Sequence, residues 1–208
     1  MYKVIATGSK ANAVLYHNSI LVDCGVPFKA LKDHLLNIQV IILTHEHKDH
    51  VNITTLKKLS KERPTLRFGC CEWMVEHIKG HVKNIDVYKI GDVYNYGSFS
   101  ISPIKLYHDV PNCGYRIFKN DSKILHATDT SHLEGITAKD YDLYAIEHNY
   151  DEEKIAENIR EKEGKGLFCY EKRAMNSHLS EQQAREFIYK NKKESSEVLR
   201  LHQSDNNS

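Results

Sequence analysis

His45, His47, Asp49 and His50 spell H-x-H-x-D-H directly after the apolar run IQVIILT, residues 38–44. A divalent cation at neutral pH is held by neutral imidazoles and carboxylates at roughly 2.0–2.2 Å, with one position left open for water. In an extended or turning segment, side chains two apart point the same way, so His45 and His47 can grip one ion. Asp49 and His50 then fall a turn further on and can reach a second ion nearby. A solvated polar loop is the plain alternative, but four potential ligands crowded into six residues favour a metal. The chain holds 13 histidines, and histidine is both the commonest metal ligand and the commonest acid–base group. Its five cysteines include no C-x-x-C pair. An odd thiol count without such a pair argues against a disulfide framework or a cysteine zinc site. It points instead to buried or idle thiols in a reducing cytoplasm.

The elements that must position this loop can be read from periodicity. Residues 2–7, 12–17 and 19–25 read as short strands, the last two joined across His17–Asn18. Residues 26–36 have helical spacing with a proline near the start, and IQVIILT is a strand buried on both faces. A helix over 52–61, a strand over 65–69, a helix over 71–80 and a polar turn region over 90–97 follow. Residues 98–108 alternate apolar and polar, as a half-buried antiparallel strand does. Strands over 113–118 and 123–129 are paired by an Asn–Asp–Ser turn, with another strand over 142–149. Residues 152–164 and 180–193 are amphipathic helices, and 197–204 is a last strand before a polar tail. Two successive runs of strands and helices suit two mixed sheets flanked by helices. With no repeat and no linker, one domain over residues 1–208 is expected.

Composition sets limits on function. Charged residues are 27% and apolar residues 40% of the chain, an ordinary globular balance. A net charge of +1 supplies no global basic field for holding nucleic acid, though it leaves room for an enzyme that touches a few phosphates. No signal-peptide-like run opens the sequence, and no stretch approaches the ~20 apolar residues of a membrane span. A cytoplasmic protein without a membrane partner is expected.

The strand-plus-H-x-H-x-D-H motif resembles the signature of the metallo-β-lactamase-fold hydrolases. That resemblance implies an αββα sandwich of two mixed β-sheets flanked by helices, with two divalent metal ions, Zn2+ or Mn2+, activating a water. It asks for a later histidine, an aspartate and a last histidine, each after a strand. His108, Asp129 and His202 stand at those places in that order. The resemblance assigns His45, His47 and His108 to the first metal and Asp49, His50 and His202 to the second, with Asp129 shared. Asp23 and Gly25 read as architecture, Asp23 supporting the metal loop by hydrogen bonds and Gly25 allowing a tight turn.

A closer resemblance extends over nearly the whole chain. TGSKANAVLY…LVDCG, YHDVPNCGYRI, ATDT, IEHNYDEE, SHLSEQQA and LHQSDNN are similar, in order, to motifs of the WalJ/YycJ-type nucleases. SHLSEQQA followed by LRLHQSDNN also resembles the paired C-terminal histidine motifs of ribonuclease Z. By that likeness His202 takes the metal role, and His178, oriented by Glu147, acts as an acid or phosphate contact beside the catalytic Asp49. The rival assignment makes His178 the ligand of the second metal. Two departures stand out: Lys10–Ala11 precede Asn12 where Ser–Gly is usual, and His148 is two positions away from the usual place in E-S-N-H-D. A C-terminal helix of longer relatives is not expected. Lys10, Lys48, Lys165, Lys172 and Arg173 are candidate phosphate contacts. The implied function is a phosphodiesterase and exonuclease with nucleic acid, DNA foremost, as substrate. A small-molecule hydrolase for thioesters, lactones or cyclic phosphates is the alternative, and a non-catalytic binding module is a third.

Overall fold

The structure, a computed structural model, describes residues 1–203. They form two compact units, one over Met1–Asp92 and a second that begins at Val93. The last five residues of the LHQSDNN(S) motif, 204–208, lie outside the described residues.

The first unit is built on a six-stranded sheet in the order β1-β2-β3-β4-β5-β6: β1 (Tyr2–Ala6), β2 (Ala13–Tyr16), β3 (Ile20–Val22), β4 (Val40–Leu43), β5 (Arg67–Cys71) and β6 (Asn84–Tyr88). The β1–β2 and β2–β3 pairs are antiparallel, and β3 to β6 run parallel. His17 and Asn18 both take positive φ (49° and 57°), the geometry a tight hairpin requires. Every residue of β2, β3 and β4 is buried, as the apolar run 38–44 led one to expect for β4. The Asn52 side chain accepts from Thr55 N and starts helix α2 (Ile53–Glu62), which sends Leu56 and Leu59 into the same core as Ile41, Leu43 and Phe68. Burying each such side chain is worth about 1.5–3 kcal/mol.

The second unit holds another six-stranded sheet in the order β12-β11-β10-β9-β8-β7. Its strands are β7 (Tyr94–Asn95), β8 (Ser100–Tyr107), β9 (Pro111–Lys119), β10 (Ser122–Ala127), β11 (Leu143–Glu147) and β12 (Glu197–Leu201). β7 to β10 pair antiparallel, whereas β10, β11 and β12 are parallel. Helices α4 (Glu152–Gly164), α5 (Glu171–Ser177) and α6 (Glu181–Asn191) connect β11 to β12. Ser180 and Gln183 cap α6 reciprocally, and Ala184 and Ile188 pack on Tyr144 and Ile146 of β11.

Two mixed sheets with helices are what the sequence leads one to expect. Several details differ. The helix expected over 26–36 is one α-turn, α1 (Phe28–Leu31), followed by a 3-10 turn at Lys32–His34. The stretch 100–107 does not keep the expected alternation: it is continuously buried from Ile101 to Ile104, between paired neighbours β7 and β9. Strand β6 and helix α5 escape sequence reading: β6 is a five-residue edge strand with only Tyr88 buried, and α5 is seven residues long with no side-chain cap. Helix α3 (Glu72–Ile78) lies where expected. All five cysteines are free, four of them buried, and burial pushes the Cys70 thiol up to about 12, helped by Cys71 and Asp86. Among the described residues, no helix is long and apolar enough to cross a membrane.

Candidate metal centre

In the first unit the chain direction of the strands decides which residues meet. Parallel β3 and β4 both end at the edge where Asp23 and the THEHKDH loop begin, and antiparallel β2 starts there with Asn12. Asp23 ties these ends together: its Oδ1 accepts from Thr44 N at 2.9 Å, and its Oδ2 lies 2.6 Å from His50 Nδ1. The His45 Nδ1 is 3.0 Å from the Thr44 hydroxyl. The ring of His45 lies 4.7 Å from that of His47 and 4.2 Å from that of His50. The Asn12 Nδ2 donates to Asp49 Oδ2 at 3.1 Å and lies 2.9 Å from His50 Nε2, while the Asn12 backbone N–H holds the Asp49 carbonyl at 2.6 Å. Gly25 is required by close approach, since a Cβ there would sit 1.7 Å from that same Asp49 carbonyl oxygen.

In the second unit the same logic gathers residues from four strands. β10, β11 and β12 are parallel, so Asp129, Glu147 and His202 all stand at their carboxyl ends. β8 is related to β10 through two antiparallel pairings, so its end, and with it His108, falls at the same edge. Asp129, Glu147, His178 and His202 offer ligand atoms within 4.8 Å of one another. Glu147, fully buried, is the hub. Its Oε2 accepts from Thr130 N and Leu179 N at 3.1 and 3.2 Å, and its Oε1 lies 2.6 Å from His178 Nδ1 and 3.2 Å from His202 Nδ1. Asp129 Oδ1 is 3.5 Å from His178 Nδ1, 3.4 Å from His202 Nδ1 and 4.0 Å from His108 Nε2. Thr128 Oγ1 donates to Asp129 Oδ2, and the Asn112 side chain donates to the Asp129 carbonyl.

Charge follows from these contacts. Burial pushes the Glu147 carboxyl up, but bonds from His178 and His202 outweigh it and hold the group below its ordinary value. For His178 burial favours the neutral ring, and the Glu147 carboxylate overrides it, raising the histidine's pKa. Burial dominates at His108 and lowers its pKa, so the ring is neutral at pH 7. Its Nδ1 donates to the Ser177 carbonyl at 2.8 Å, which leaves the lone pair on Nε2.

The donor set fits divalent ions. In His108, His178 and His202, Nδ1 faces a protein oxygen, which fixes the ring and turns Nε2 away from it, and in His50 Nδ1 is likewise fixed by Asp23 while Nε2 lies beside the Asn12 amide. That is how a ligating imidazole is normally oriented. Asp23, Asp129 and His202 also take left-handed backbone conformations, φ 60°, 56° and 46°, of the kind that concentrates at functional sites.

Some supporting residues were not legible in the sequence. Asn149, whose Nδ2 donates to the His202 carbonyl and lies 3.3 Å from its Nδ1, acts across 53 residues of chain. Thr130, Leu179 and Asn112 likewise act on partners distant in sequence; each falls within a sequence motif, but nothing in the motif names its partner. His148 takes no part in the cluster: its Nδ1 donates to the Ile146 carbonyl. Lys165, Lys172 and Arg173 are each paired with a carboxylate, Glu161, Glu163 and Asp109 respectively.

Residues 18–198 match the family model of the beta-lactamase superfamily domain, and the chain belongs to that family. It has the metallo-β-lactamase fold, the fold of the superfamily's hydrolases. Among solved structures it resembles the metallo-beta-lactamase fold protein YhfI of Bacillus subtilis over 98% of this chain and 86% of that one (TM-score 0.74, 19% identity). The short form of human tRNase Z is similar over 98% and 92% (TM-score 0.69, 16% identity). Among curated proteins it is 24% identical over 172 residues to "Exodeoxyribonuclease YycJ" of Bacillus anthracis, covering 74% of this chain. The matched region spans 64% of that relative's length.

Proposed function

We propose that the chain is a metal-dependent phosphodiesterase that acts on DNA as an exonuclease, in the cytoplasm, with residues 1–208 working as one catalytic domain. The observation that carries the reading is the His178–Glu147 pair, 2.6 Å apart beside Asp129 and His202. Phosphodiester cleavage must protonate and stabilise a poor leaving group. An imidazole pinned at Nδ1 by a carboxylate presents Nε2–H for that purpose, and the carboxylate favours the protonated ring. The exodeoxyribonuclease relative and the tRNase Z likeness support a nucleic-acid substrate.

In this reading His45, His47 and His108 hold one divalent ion, Asp49, His50 and His202 hold the other, and Asp129 serves both. Zn2+ and Mn2+ each suit these ligands. Bound there, the two ions would lower the pKa of a water and clamp the attacking and leaving oxygens. The protein's part is to keep that constellation fixed. Asp23 orients His50, Asn12 steadies Asp49, Asn149 and Glu147 aim His202, and Ser177 aims His108. His178 then acts on the substrate.

The test is digestion of single- and double-stranded DNA and RNA by metal-loaded protein, with bis-(p-nitrophenyl) phosphate, a thioester and a lactone in parallel. DNA degradation that is lost with chelator, restored by Zn2+ or Mn2+ and abolished in Asp49→Ala and His178→Ala is expected. His178→Ala retains about two metal equivalents if His178 is the acid, and loses one if it is a ligand. Intact nucleic acids alongside thioester or lactone turnover would replace this reading with the small-molecule hydrolase, which the net charge of +1 favours.

A further inference from the structure

His148, the histidine displaced from its relatives' pattern, leads to a second cavity. Successive side chains on a strand point to opposite faces, so His148 turns away from the side of β11 that carries Glu147. On that opposite face α6 packs against Tyr144 and Ile146 of β11 and leaves a cleft of about 570 Å³ over edge strand β12. Arg185 and Lys192 of α6 and Arg200 of β12 line it, with His148, Ile188 and Val198 also contributing to its lining. Tyr189 forms another wall and is 81% exposed, so its ring is open to a ligand. Glu181 is the carboxylate that meets these cations, 2.6 Å from Arg185 and 4.0 Å from Arg200. One carboxylate against three cations leaves the cleft net positive.

We propose that this cleft binds a nucleoside monophosphate, the phosphate on the Arg185–Lys192–Arg200 cations and the base against Tyr189. Guanidinium forks match phosphate oxygens in pairs. A tyrosine face stacks any base, because every base offers a π-surface. The volume falls in the roughly 300–1,000 Å³ range of small-ligand sites. Nothing here depends on the catalytic reading, and the ligand is held on the face of β11 opposite to Glu147.

The test is calorimetric titration of the full-length chain, in EDTA, with AMP, adenosine and inorganic phosphate. AMP is expected to saturate one site with Kd tighter than about 1 mM, and either component alone to bind at least tenfold more weakly. Arg200→Ala and Lys192→Ala, both on the surface, should each weaken AMP by roughly tenfold. Tyr189→Ala should weaken AMP without changing phosphate binding, and His178→Ala should leave AMP binding unchanged. The proposal is overturned if AMP does not saturate, or if phosphate binds as tightly as AMP. It is equally overturned if His178→Ala abolishes binding while Arg200→Ala and Lys192→Ala, shown folded by circular dichroism, retain it.

Discussion

Replacing Glu147 with glutamine keeps the shape of a fully buried side chain but removes its charge and turns one acceptor into a donor. The carboxylate accepts on both oxygens, from two backbone amides at 3.1 and 3.2 Å and from two imidazoles at 2.6 and 3.2 Å. A glutamine has one acceptor oxygen and one NH2 donor. If its oxygen stays on the amides of Thr130 and Leu179, its NH2 faces Nδ1 of His178 and His202. Both rings must then carry their protons on Nε2, and His202 no longer presents a lone pair there. If the amide turns over, NH2 faces two N–H donors. Either way at least one charge-assisted bond is lost, at about 1.5–3 kcal/mol. At about 2–4 °C per kcal/mol for a chain of 150–250 residues, Tm should fall by about 3–12 °C. The rate should fall further, because a positioned proton donor contributes about 10²–10⁴-fold. The assay is kcat on a single-stranded DNA oligonucleotide at saturating metal, with Tm measured on the same preparation. A Glu147→Gln protein within threefold of the parent in kcat would refute the role given to this carboxylate. His178→Ala serves as the second variant, and should lose activity with a smaller change in Tm because its side chain is partly exposed.

Three further outcomes follow from the geometry. Gly25→Ala places a methyl group 1.7 Å from the Asp49 carbonyl, so the metal loop must shift, at a cost of about 1–3 kcal/mol or more. Denaturant unfolding and metal content should both register it, and a parent-like protein would refute the packing. Asn149→Ala removes the donor that holds the His202 carbonyl and should weaken metal binding by roughly 10–100-fold, read by competition with a chromophoric chelator. The Lys193 ammonium, 2.6 Å away, holds the Asp142 carboxyl below its ordinary value, against a weaker opposing effect of burial and with help from the Lys123 amide. A depressed carboxylate stabilises the fold above its unfolded pKa of about 3.9 and loses that contribution as pH falls through the lower folded value. Asp142→Asn should therefore lower Tm near neutral pH and narrow the gap to the parent below about pH 4. An equal gap at pH 7 and pH 3 would contradict the linkage.

The local chemistry was legible from residue order alone. A strand with no polar residue after Gln39 must be buried, and the ligands at its end are neighbours in sequence, so His45, His47, Asp49 and His50 are brought together by local geometry. Asp23 as the support of that loop and Glu147 as the partner of His178 were also readable, through motif order, although 31 residues separate the latter pair. Tertiary structure decided the rest. The parallel run β10-β11-β12 sets Asp129, Glu147 and His202 at one edge, and the reversed neighbours β8 and β9 return His108 to it. Strand β6 hid because five residues at a sheet edge, mostly part-exposed, give too short a pattern to stand out, and α5 because a seven-residue helix has little pattern to display. Asn149, Thr130 and Leu179 stand inside motifs, but their roles were not readable: the amides of Thr130 and Leu179 look like any other until folding aims them, and Asn149 finds its partner only across 53 residues. Composition and spacing name the groups that can do chemistry, but the direction of each strand determines which of them meet, and sequence encodes that only through the whole chain.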